Sequence, residues 1–125
     1  MRRLILPGLA LLALAGCTTP GTGWARASDL SVYGAMDQYG AIAREHSVLC
    51  GGFGTAVVAD AWQEDFGARE AAVNARLADR HGSEAVARAV EGRRLRAPCE
   101  EVPTLKWRHR YERLLRLLEA RLGLA

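Results

Sequence analysis

LSVYGAMDQYGAIAREHSVLC, residues Leu30 to Cys50, decides the fold class. Val32, Ala35, Met36, Tyr39, Ile42, Ala43, His46, Leu49 and Cys50 recur at steps of three and four, while Asp37, Arg44 and Glu45 fall opposite. One apolar stripe on an otherwise polar cylinder is the pattern of an amphipathic helix; a strand alternates every second residue. Asp29 or Ser31 can accept the first free amides as N-cap. Gly51 and Gly52 then break the helix, and Gly54 adds a second pivot.

Three further segments follow. The second begins at Thr55 or at Asp60, where Asp60 and Gln63 form a capping-box pattern, and ends at His81 before Gly82. Trp62, Phe66, Val73 and Leu77 line its inner face, and Arg69, Arg76 and Arg80 border that face with their aliphatic stems. The third runs from Glu84 to about Leu95 with Ser83 as N-cap, and Pro98 stops whatever precedes it. The fourth begins near Pro103 or Thr104 and places Trp107, Tyr111, Leu114, Leu115, Leu118 and Leu122 on one side. Arg108–Glu112 and Glu112–Arg116 are i,i+4 pairs along it. Only Phe53 to Ala59 is an ambiguous apolar stretch. The expected fold is all-α: a small bundle or orthogonal array of about four helices over residues 29–125.

The 125 residues suffice for one small domain. Half are apolar and a quarter charged, which excludes a disordered chain. Ala, Leu and Arg dominate, and Lys106 is the only lysine. A formal charge of +3 is too small for a general nucleic-acid binder, so no nucleic-acid partner is expected.

Residues 1–16 read as a leader. Met1-Arg2-Arg3 precedes an apolar run from Leu4 to Ala15 that is too short to span a bilayer, where about 20 apolar residues are needed. Ala13-Leu14-Ala15 fits an ordinary secretory cleavage site. Leu14-Ala15-Gly16-Cys17 resembles the lipobox of bacterial lipoproteins. That resemblance covers only the leader. It implies cleavage before Cys17, diacylglycerol on its thiol and acylation, such as palmitate, of its new amino group. It implies a cell-envelope protein lipid-anchored to the membrane; in a Gram-negative host, Thr18 in place of aspartate implies the outer membrane, facing the periplasm.

Residues 17–28 are then the modified cysteine and a flexible tether, rich in Thr, Gly and Pro. Trp24 within it either folds back on the domain or sits at headgroup level. With Cys17 lipidated, Cys50 and Cys99 remain, and an oxidising compartment favours their disulfide. His46 and Cys50 at i,i+4 have metal-ligand spacing, but two ligands do not make a site. His46 reads as a partly buried histidine on the inner face. No metal or cofactor is expected.

Charge divides along the chain. Residues 28–92 hold ten acids and five arginines; residues 93–125 hold nine basic and four acidic side chains. The plain reading is a solvated basic face packed beside an acidic middle. The sharper reading is a contact surface for anionic headgroups or an envelope protein, built from Lys106, Arg110, Arg113, Arg116 and Arg121, with His109 beside them and Arg93, Arg94 and Arg96 as a second cluster. No catalytic motif is present: no H-E-x-x-H, G-x-S-x-G or P-loop, and Gly51-Gly52-Phe53-Gly54 has neither the strand nor the Lys a phosphate loop needs. The expected function is a non-catalytic interaction or assembly module at the membrane. The alternative is a carrier or sensor of a small apolar or anionic ligand, with a pocket among Tyr39, Trp62, Phe66 and Trp107.

Overall fold

A computed structural model describes residues 23–92, 98–100 and 102–125. Four α-helices account for most of them: α1 (Asp29–Leu49), α2 (Thr55–His81), α3 (Ser83–Val90) and α4 (Thr104–Arg121). No strand occurs among the described residues. The all-α class follows directly from the 3.6-residue stripes, which bury only if each segment coils.

Antiparallel packing of α1 on α4 forms the most extensive interface. Asp29 at the start of α1 meets Arg121 at the end of α4, and His46 near the end of α1 meets Thr104 at the start of α4. α2 runs parallel to α4: Asp65 pairs with Arg108, Arg69 with Glu119, and Arg76 donates to the Leu122 carbonyl. α3 turns back at Gly82, whose φ of 88° is a left-handed conformation that glycine adopts without a side-chain clash. The core is Val32, Met36, Ile42 and Ala43 of α1, Trp62, Phe66, Val73 and Leu77 of α2, Val86 of α3, and Trp107, Tyr111, Leu114, Leu115, Leu118 and Leu122 of the last segment.

Several local expectations give way. Ser28, not Asp29 or Ser31, caps α1: its extended backbone lets Oγ accept from the Ser31 amide at 3.1 Å. Asp29 instead sits in the first turn, where a carboxylate suits the positive end of the helix. The capping-box pattern at Asp60 is unused, because α2 already starts at Thr55 after the extended Gly54. Gly82, not Ser83, occupies the N-cap of α3. α3 ends at Val90, short of Leu95, and residues 93–97 lie outside the described residues. The stripe of α1 also loses its last members: Leu49 is 71% exposed and Cys50 is exposed, because the chain turns away there and no helix among the described residues covers that rim.

Two glycines make opposite predictions. At Gly34 an added Cβ would lie 2.3 Å from the Ala89 backbone carbonyl oxygen, so α1 and α3 approach only because the side chain is missing. Gly34→Ala is expected to destabilise by about 1–2 kcal/mol, strain outweighing the helix-propensity gain of about 1 kcal/mol. At buried Gly67 the three atoms nearest an added Cβ all belong to the end of the Gln63 side chain, an exposed residue that can swing outward. Gly67→Ala is therefore expected to stabilise by about 0.5–1 kcal/mol. Denaturant midpoints of the two variants check both signs.

Candidate functional site

The outward side of α4 carries Lys106, His109, Arg110, Arg113 and Arg116, all exposed, on successive turns. Both acids of this helix are paired with arginines. Glu119 takes a two-pronged pair from Arg69 of α2. Glu112 pairs with Arg108 at 3.3 Å and lies 4.0 Å from Arg116. Lys106, His109 and Arg113 have no acidic partner among the described residues. The Arg110 guanidinium stacks 4.7 Å from the Trp107 ring centre and 5.9 Å from that of Tyr39. Such stacking holds the planar fork against the helix and leaves its N–H groups free at the rim.

Arg121 does not belong to this surface. Its position on α4 turns it toward the start of α1, where its guanidinium donates to the carbonyl oxygens of Trp24 (2.6 Å), Ala25 (3.2 Å) and Ala27 (2.9 Å) and to the Asp29 carboxylate (3.3 Å). Residues 23–28, expected to belong to a flexible tether, are instead seated on the domain: Gly23–Arg26 forms a turn of 3-10 helix, and Trp24 packs partly buried against the core; residues 17–22 lie outside the described residues. An open cleft of about 590 Å³ lies beside this turn, lined by Gly23, Trp24, Tyr39, Arg110, Arg113 and Leu114. Cys17, Arg93, Arg94 and Arg96 lie outside the described residues.

The aromatic residues anticipated as one ligand pocket divide between two places. Tyr39 pairs with Trp107 at 6.0 Å on the α1–α4 side. Trp62 and Phe66 instead close on Tyr111, ring centres 4.6–4.9 Å apart, and fill the α2–α4 interface. Glu70 satisfies their polar tips: one carboxylate oxygen accepts from the Trp62 indole N–H at 3.0 Å and from the Tyr111 hydroxyl. Arg44 lies 4.9 Å over the Trp62 ring. Burial pushes the Tyr111 phenol well above its usual range, and the hydrogen bond and charge of Glu70 push it further. Burial also raises Tyr33.

A raised phenol favours the folded state while the unfolded chain is still protonated. That advantage is complete below about pH 10 and is lost above it, at about 1.4 kcal/mol per pH unit for each tyrosine that stays protonated in the fold. Unfolding free energies measured from pH 8 to 11 are expected to decline past pH 10 in the wild type. Tyr111→Phe should flatten that decline.

At the far end of the bundle, Cys50 and Cys99 form a disulfide with Cα atoms 5.7 Å apart. His46, only 4% exposed, lies beside it; Nδ1 hydrogen-bonds Thr104 Oγ1 at 2.7 Å, and Nε2 is 3.4 Å from the Pro98 carbonyl. The His46 nitrogen and both sulfurs fall within 4.8 Å of one another. With the sulfurs bonded to each other, the trio lacks the thiolates a metal would need. The same end exposes Phe53 (60%), Val57 (62%) and Leu105 (60%). They border an apolar groove of about 430 Å³ whose floor includes Val58, Ala61 and Trp62. In the residues, only the ambiguous apolar stretch Phe53 to Ala59 hints at this groove, because exposure is decided by neighbours distant in sequence.

No helix among the described residues is long and apolar enough to cross a membrane. The chain matches no protein-family model, no curated protein and no solved structure.

Proposed function

We propose that this is a cell-envelope protein anchored to the membrane by lipid on Cys17, its helical domain serving as a non-catalytic interaction or assembly module. The anchor rests on the lipobox resemblance of Leu14-Ala15-Gly16-Cys17. The observation that carries the interaction role is the bare apolar groove between Phe53, Val57 and Leu105. Large apolar side chains gathered at one place on a small domain mark a protein contact, since each exposed aliphatic or aromatic group forfeits burial worth roughly 1.5–3 kcal/mol. The partner in this reading is another envelope protein that lays apolar side chains across the start of α2 and α4.

The test has two arms. Intact mass of the mature protein, with and without reduction, reports acylation of Cys17. Crosslinking in detergent-solubilised membranes reports the partner, and Leu105→Glu, at an exposed position, is expected to abolish the adduct without unfolding the domain. A monomer that crosslinks to nothing while abundant in its membrane refutes the module.

The same groove favours a second reading, a carrier of a small apolar ligand, because it is concave and reaches the Trp62 indole. Native mass spectrometry of protein purified from its own host separates the two: a co-purifying small mass supports the carrier, and a clean apo spectrum removes it.

A further inference from the structure

We propose that the outward face of α4 docks on the anionic headgroups of the phospholipid bilayer, so that the domain lies side-on against the membrane with its apolar groove free at one end. The proposal rests on the lipid-anchor reading above and deepens it by assigning the surface that meets the membrane.

Three observations carry it. Lys106, His109, Arg110 and Arg113 stand on adjacent turns of one helix without an acidic partner among the described residues. Like charges three and four apart destabilise a helix, and a negative surface reverses that cost. Gly23, the first described residue, also lines the cleft together with Arg110 and Arg113. Cys17 is six positions earlier, and six extended residues reach no further than about 20 Å. An acyl group in the hydrocarbon therefore brings this cleft close to the headgroups. Finally, Arg110 is stacked on Trp107 and Tyr39, which orients a guanidinium fork that suits a phosphodiester.

Lys106 provides the readout, since it is the only lysine. The full acylated protein is placed in phosphatidylcholine vesicles, with or without about 30% phosphatidylglycerol, and the rate of Lys106 acetylation is followed by peptide mass spectrometry. The expected result is roughly five-fold slower acetylation on the anionic vesicles, a difference that disappears near 0.5 M salt, where the Debye length is about 4 Å. A negative surface also concentrates protons and slows the reaction without docking. Arg113→Glu controls for this: it should recover most of the lost rate if Lys106 is covered.

Equal rates on both vesicle types overturn the proposal, as does protection that Arg113→Glu leaves unchanged. Flotation in high salt reads the anchor separately. Protein that floats while Lys106 remains fully reactive keeps the anchor and loses the docking face. Protein that washes off, or lacks acyl mass, overturns both.

Discussion

Cys50→Ser combined with Cys99→Ser is expected to lower the unfolding free energy by about 4 kcal/mol and the melting temperature by roughly 15–25 °C. The two cysteines are 49 positions apart, and closing a loop of that length removes entropy chiefly from the unfolded chain. A domain of about a hundred residues has a net stability of roughly 5–15 kcal/mol, so this one bond is a large share of it. Few other described contacts hold the segment before α4 to the end of α1: the His46–Thr104 hydrogen bond, and the longer approach of His46 to the Pro98 carbonyl. Thermal unfolding followed by circular dichroism, with and without reductant, measures the effect. A loss below about 1 kcal/mol would mean that His46 alone suffices to hold that end.

Arg121→Ala is expected to cost about 2–3 kcal/mol and to release residues 23–28 from the domain. One guanidinium satisfies three carbonyls and one carboxylate there, and both side chains of its ion pair are only 22% exposed. Truncation leaves the Trp24 and Ala27 carbonyls without their donor in a part-buried setting, while that of Ala25 is exposed to water. Hydrogen exchange at residues 23–28 should accelerate, and Trp24 emission should shift to the red as its ring gains water. Arg121→Lys should recover only part of the loss, because a compact ammonium cannot fork across four acceptors. Counted along the sequence, the stretch from Cys17 to the first clamped residue would roughly double, from six positions to twelve, so the variant is also expected to relax the side-on orientation proposed for α4 without touching the proposed anchor.

The core was largely readable in the residues. Trp62, Phe66, Val73 and Leu77 on α2, and Trp107, Tyr111, Leu114, Leu115, Leu118 and Leu122 at the other end, are buried as their spacing requires. The pairing of Cys50 with Cys99 is an expectation that sets Cys17 aside as lipidated; the structure places the two sulfurs in a disulfide. The candidate surfaces were less readable. Arg121 shares composition and spacing with Arg113 and Arg116, yet it is an internal clamp. Leu49 has stripe spacing and is exposed, as are Phe53 and Val57 of the ambiguous apolar stretch and Leu105 at the start of α4. Ser28 rather than Asp29 caps α1, because capping depends on the dihedral angles of one residue and several nearby side chains are chemically eligible.

Periodicity is a local property, so the amino-acid order alone determined that the described domain is helical, that it has four helical segments and which stripe of each is apolar, though not every helix end. It also determined that two cysteines flank a long loop. Which rim of α4 meets another element, and which apolar end stays bare, depended on the antiparallel seating of α1 on α4 and on how little of α2 reaches its first turns. Those are distances between residues fifty to a hundred positions apart, and no spacing rule within a single helix encodes them.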